Sequence, residues 1–300
     1  MPAMPKTRCA LLPAFSVVAV SGRDARSFLQ GQLTNDLLGL ERHPGLLAAA
    51  CNREGRVLEI LRLASRGDTV LIVVRHSLAA PLIARLEKHV LRAEVSIEDS
   101  SLTLAVAGML DPSPGGSWSP AETTPAGLTM MVAGARRLLL VGSPAALQMA
   151  MGDADRASSG DWDRACIEDG EPTIYPETAG NWIPQMLNLD LLSAVSFTKG
   201  CYIGQEIVAR TQHLGRLKRR MLRYAGPAGA SFSPGQPLYS VESQAGQVVA
   251  ACDGPRGAEL LAVTELRFCS ELLGARPGGS ELVPADLPYA IPAAATTLEP

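Results

Sequence analysis

Short β-branched and apolar runs, broken by turn residues, set most of the pattern along this chain. Residues 15–20 are β-branched and read as a strand, and residues 26–30 as a short amphipathic helix. An apolar run at 46–51, a turn at 52–55 and a returning run at 57–63 predict a hairpin with a glycine in its loop. Residues 68–74, 95–97, 102–107 and 137–141 read as further strands. Apolar positions at helical spacing predict helices over 77–90, 144–151, 161–168 and 203–211. Residues 111–117 form a Pro/Gly loop, and 181–190 show no regular period. Beyond Gly226 the runs at 238–241, 247–251 and 260–263 lie between Gly and Pro residues, as in a small barrel or sandwich. The last 25 or so residues, rich in Pro and Ala, are expected to be extended or frayed.

Three hundred residues suggest two domains or three small ones. The expected division is 1–215, holding two α+β modules able to interleave in sequence, and 216–300, a small β-barrel-like domain with an extended tail. Apolar residues make up 47%, enough for a sizeable core, and a net charge of −3 argues against nucleic-acid binding by the whole surface. Six cysteines at irregular spacing, with no CxxC pair, are read as reduced thiols in the cytosol. Lys6 and Arg8 precede an apolar run at 10–20 that superficially resembles a signal peptide, but Pro13 interrupts it and a strand, turn and helix account for it.

The chemistry centres on Lys199-Gly200-Cys201-Tyr202-Ile203-Gly204-Gln205-Glu206. Its two glycines permit tight turns, while a following helix and Lys199 would both favour a thiolate at Cys201. A buried, inert cysteine is the competing reading. His43 would serve Cys201 as a base only if the fold brought the two together. Arg210, Arg216, Lys218, Arg219, Arg220 and Arg223 form a basic cluster that suits phosphate, polyglutamate or RNA, or simply a solvated face. Aromatic residues are only 4%, which draws attention to Trp162, Trp182, Phe15 and Phe197 as walls for a flat heterocycle, although a lone Trp is more often core. Glu168 is the carboxylate suited to paired hydrogen bonds from an aminopyrimidine. No phosphate loop, HExxH or GxGxxG is present, and the four histidines lack metal-ligand spacing, so no metal is expected.

Four stretches together resemble the YgfZ family of folate-binding proteins, which is similar in fold to the T-protein (aminomethyltransferase) of the glycine cleavage system. They are 22–36 (GRDARSFLQGQLTND), 49–56 (AACNREGR), 162–190 with its IEDGEP and IPQMLNLD segments, and 197–218 around KGCYIGQE. The resemblance implies an α+β fold, three modules in a ring around a central folate cavity with a small C-terminal β-barrel. It implies tetrahydrofolate or a one-carbon derivative as cofactor, bound by Phe15, Trp162, Glu168 and Gln185, with Cys201 as the functional thiol. Phe15 stands where related bacterial proteins tend to carry Trp, which keeps stacking but loses the indole donor. The implied role is cytosolic support of iron–sulfur enzymes, including those that modify tRNA, through partners among such enzymes or their assembly factors. Neither direct nucleic-acid binding nor a membrane is implied. The T-protein's catalytic aspartate belongs to a GGxxDD-like stretch that here reads GRVLEI (55–60), with Glu59 for the expected Asp and no paired acid. A folate-dependent aminomethyltransferase-like activity is therefore the alternative, and an RNA-binding module the second alternative.

Overall fold

The computed structural model describes residues 6–112, 127–152, 154–214, 217–241, 243–254, 257–276 and 281–292. Arg216 and most of the 111–117 loop lie outside them. In chain order the elements are β1 (Arg8–Leu11), β2 (Phe15–Ser21), α1 (Ala25–Gln30), β3 (Leu46–Cys51), β4 (Val57–Arg66), β5 (Thr69–Arg75), α2 (His76–Glu87), β6 (Ser96–Asp99), β7 (Ala105–Leu110), β8 (Thr129–Val132), β9 (Arg137–Gly142), α3 (Pro144–Met151), β10 (Asp155–Arg156), α4 (Ser159–Glu168), α5 (Gln205–Leu214), β11 (Arg219–Ala225), β12 (Pro237–Tyr239), β13 (Gln244–Gly254), β14 (Gly257–Glu265) and β15 (Val283–Ala285).

The strands make three five-stranded sheets, ordered β10-β1-β7-β9-β8, β3-β4-β5-β2-β6 and β12-β13-β14-β11-β15. Central strands are apolar on both faces: β5 reads TVLIVVR and buries its five middle residues. The apolar run at 10–20 is not one strand. Pro13 falls at a turn, closed by the Phe15 N–H on the Leu12 carbonyl at 3.1 Å, and the run feeds β1 and β2 into different sheets. Helix starts follow their caps. Ser143 Oγ accepts from the Ala146 N–H with Pro144 in the first turn of α3, and before α4 Ser158 and Asp161 exchange side-chain-to-backbone bonds.

The chain divides into two compact units. The first comprises Met1–Ala50, Glu59–Trp162 and Ala194–Ile203; the second comprises Cys51–Leu58, Asp163–Ser193 and Gly204–Pro300. In the first, α3 packs on the sheet around β9, with Leu138, Leu140, Leu147 and Met130 in one cluster. In the second, the β12–β15 sheet curls around Tyr224, Leu238, Val248, Leu260 and Phe268. Bridges at Tyr239↔Gly274 and Leu273↔Leu282 link its two edges.

Two expectations change here. Residues 219–223, read as part of a basic cluster, are a strand whose charges are mostly engaged: Arg219 pairs with Glu265, Arg220 with Asp190 and Arg223 with Glu259. The C-terminal tail is ordered at least over 281–292, where β15 pairs with β11 and Tyr289 is hydrogen-bonded. Among the described residues no helix is long and apolar enough to cross a membrane.

Candidate functional site

Lys199 does not serve as the thiol's neighbouring cation. Its side chain turns inward, and its Nζ donates to the carbonyls of Gln30, Leu33 and Asn35 at 2.6, 2.7 and 2.7 Å. All three acceptors belong to the 22–36 stretch, where α1 ends and the chain turns. An ammonium has three donors and no acceptor, so this cage uses its whole capacity. The ammonium also lies 5.3 Å from the Tyr202 ring centroid. Burial pulls the Lys199 pKa down to about 8, opposed by the Asp36 carboxylate. Asp36 itself is held below the usual carboxylate range, chiefly by the Leu38 N–H, with help from Gln30, Lys199 and His43. His43 thus acts on Asp36, and no hydrogen bond joins it to Cys201 among the described residues.

Cys201 is free and exposed, which removes the buried-cysteine reading. The two motif glycines differ. A Cβ on Gly200 would meet open space, whereas Gly204 has φ +82° and a Cβ there would lie 2.4 Å from the Asn52 carbonyl oxygen. In the second unit Gly204 and Gly55 (φ +68°) face each other, so the 52–55 turn sits against the start of α5, with Ile207 over Gly55. Gln205 and Glu206 open α5.

The 162–190 stretch carries the other two expected ligand residues of the second unit. Glu168 ends α4; its carboxylate is half-buried and makes no hydrogen bond or ion pair among the described residues. Gln185 lies in a 3-10 turn, Pro184–Leu187, which supplies structure where none was expected. Its Nε2 donates to the Val208 carbonyl of α5 at 2.7 Å, while its Oε1 is buried with no hydrogen-bond partner. A buried carbonyl oxygen left unpaired costs about 1–3 kcal/mol, so it marks a place where a donor is wanted. Below it Arg220 grips Asp190 through two bonds, at 2.7 and 2.9 Å, and donates to the Gln185 carbonyl and to Asn188 Oδ1.

Phe15 and Trp162 both fall in the first unit. Phe15 is half-buried, with the Arg75 guanidinium 5.4 Å from its ring centroid. Trp162 is 2% exposed: its ring fills the space above Gly108, where a Cβ would lie 2.3 Å away, and Arg137 lies 5.1 Å from its centroid. Within its own unit this indole is a core side chain. Trp162→Ala therefore costs fold stability as well as any stacking.

Glu59, which the sequence resemblance sets against the T-protein's aspartate, is 2% exposed on β4 and bound by Arg85 of α2 through both guanidinium nitrogens at 2.7 Å. Burial raises its pKa, opposed by Arg85. A carboxylate held this way is an anchor between strand and helix, and at 2% exposure it is closed off from any proton a general base would take. Glu59→Gln leaves Arg85 without its counter-charge, and a loss of about 2–4 kcal/mol is expected. Denaturant titration reads it; an unchanged midpoint would contradict the anchoring role.

Sequence reasoning missed the residues whose partners are remote. Arg85, Asn188, Arg220 and Tyr289 all complete polar contacts around the expected stretches. The one available signal for Tyr289 was an aromatic residue in a Pro/Ala-rich segment of an aromatic-poor chain. Among the described residues no group of three or more His, Cys, Asp or Glu is placed to hold a metal ion.

No protein-family model matches the chain. The tRNA-modifying protein YgfZ of Escherichia coli (strain SE11) is 31% identical over 242 residues, covering 76% of this chain and 74% of that protein. The tRNA-modifying protein YgfZ of Cronobacter sakazakii is 32% identical over 255 residues, covering 79% and 75%. Among solved structures, the glycine cleavage system aminomethyltransferase T from Bartonella henselae superposes with a TM-score of 0.75 at 16% identity, over 95% of this chain and 86% of that one. That likeness establishes a shared fold.

Proposed function

The chain belongs to the YgfZ family of tRNA-modifying proteins, and from that premise we propose that it is a cytosolic tetrahydrofolate-binding accessory protein that supports iron–sulfur enzymes, including those that modify tRNA. The folate, in its free or one-carbon-loaded form, occupies the central cavity of a T-protein-like ring of three modules. Gln185 is the observation that carries this reading. Among the described residues its buried Oε1 has no donor, and the Glu168 carboxylate, in the same 162–190 stretch, has no hydrogen-bond or ion-pair partner. A reduced pterin offers ring and exocyclic N–H donors of the kind both oxygens accept. Phe15, half-buried beside Arg75, supplies apolar surface, while Trp162 acts from within the core of its own unit. Aminomethyl transfer is left out of the role because Glu59 is committed to Arg85. Direct RNA binding is left out because Arg220 and Arg223 are committed to Asp190 and Glu259.

Tetrahydrofolate titration followed by intrinsic fluorescence tests the reading. Saturable binding is expected for the native chain, and Glu168→Gln should weaken it about tenfold, equivalent to about 1.4 kcal/mol. No binding at ligand concentrations of about 1 mM, a few kcal/mol of affinity, would overturn it. The thiol is tested in the same preparation: Cys201→Ala should bind folate as the native chain does yet fail to restore iron–sulfur enzyme activity in a deletion strain. Full restoration would make the thiol dispensable.

A further inference from the structure

The C-terminal segment reaches back to the second-unit turns that carry Glu168 and Gln185. The Tyr289 hydroxyl donates to the Gly170 carbonyl at 2.7 Å and accepts from Asn188 Nδ2 at 3.3 Å. Its two partners cap the two turns in question. Gly170 (φ +65°) ends α4: its N–H bonds the Ile167 carbonyl, and the Glu171 N–H bonds the Cys166 carbonyl, so the turn two residues beyond Glu168 is a closed C-cap. A Cβ on Gly170 would lie 2.6 Å from the Tyr289 oxygen and 2.7 Å from Leu287 Cδ2, so this turn admits the tail only because it has no side chain. Asn188 (φ 58°) ends the Gln185 turn in the same left-handed way, with its N–H on the Gln185 carbonyl at 3.2 Å. Arg220 holds that carbonyl and Asn188 Oδ1 from the other side.

We infer that Tyr289 is a positioning residue of the ligand site: its hydroxyl ties the Gly170 turn to the Asn188 turn and so sets the spacing of Glu168 and Gln185. The inference rests on the folate reading for what those two side chains hold, but the tie itself is independent of any ligand. One phenol oxygen, using its proton for one turn and its lone pair for the other, links the two turns directly. Burial pushes the phenol up to about 12, so it remains a donor across the physiological range. The segment containing residues 281–292 is thereby part of the site, 119 positions in sequence from the turn it fixes.

Tyr289→Phe in the full chain keeps the ring and removes only the oxygen. In the unliganded protein, hydrogen exchange at Gly170–Glu171 and at Asn188–Leu189 should accelerate together, each about fivefold or more, with exchange in β13 and β14 unchanged. Unchanged exchange at either turn would overturn the tie, whatever the protein binds. Tetrahydrofolate affinity should fall about five- to tenfold. In addition, Glu168→Gln should cost less in the Tyr289→Phe background than in the native one, a coupling that a general loss of stability does not produce. Faster exchange at both turns with unchanged affinity, or equal Glu168→Gln effects in the two backgrounds, would overturn the positioning role. If the native chain fails to bind tetrahydrofolate, the folate reading falls and the exchange result alone decides the tie.

Discussion

Lys199→Met should lower the thermal midpoint by about 10 °C, because it removes the amine that three carbonyls share. Hydrogen bonds from a charged donor contribute about 1.5–3 kcal/mol each, and three carbonyls lose their donor at once. Water entering the space returns part of the loss, so the expected net is about 3–5 kcal/mol, and a chain of this size shifts about 2–4 °C per kcal/mol. Lys199→Arg should not rescue, since a planar guanidinium cannot aim three donors at oxygens grouped around a point. Calorimetry reads the effect, and a shift under about 2 °C, less than 1 kcal/mol, would contradict the cage.

The same residue predicts a pH dependence. The folded chain releases the Lys199 proton near 8, the unfolded chain near 10.5. Between those values the unfolded state binds more protons, so the contribution of Lys199 to stability rises with pH through the window and is lost as pH falls through 8. At neutral pH the buried charge is thus held at a cost, although either protonation state serves the carbonyls better than an apolar chain does. The Lys199→Met variant should show a flatter stability curve between pH 8 and 10.5 than the native chain. Equal slopes would place the proton elsewhere.

Local elements were legible where a single strand or helix carries its own signal. The β-branched run of β2, the hairpin of β3 and β4, and the Ser143–Pro144 start of α3 need no distant partner to be read. What stayed hidden depends on pairs far apart in sequence. Residues 219–223 look like a basic surface until Asp190 and Glu259 are placed beside Arg220 and Arg223. Lys199 looks like an activator of Cys201 until carbonyls more than 160 positions upstream are placed around it. Tyr289 looks like part of a frayed tail until Gly170 is placed under it. The candidate ligand residues were named by resemblance, and composition alone gave no reason to choose Gln185 over the other glutamines. Its orphaned oxygen is visible only in the folded chain.

Gly204→Ala should cost about 3–4 kcal/mol, of which left-handed backbone at a non-glycine residue supplies about 1–2 and displacement of packed backbone the rest. The added methyl would lie 2.4 Å from the Asn52 carbonyl oxygen, 2.9 Å from Gly55 Cα and 3.1 Å from Gly55 N. These are main-chain atoms of a tight turn, so no rotamer change relieves the overlap; the 52–55 turn must lift from the start of α5. The thermal midpoint should fall by about 8–10 °C, at about 2–4 °C per kcal/mol, and exchange at 52–56 should rise with it. Gly200→Ala is the internal control. Its Cβ meets nothing within 4 Å, and no left-handed backbone is involved, so its stability should stay within about 0.5 kcal/mol of native. Equal destabilisation by the two substitutions would sink this account of the motif. If Gly200→Ala folds normally but abolishes rescue of iron–sulfur enzyme activity, the open space beside the exposed Cys201 thiol is needed for what approaches it. The motif divides by physics: Lys199 and Gly204 hold the backbone, while Gly200 and Cys201 face outward, where that outcome would put the chemistry.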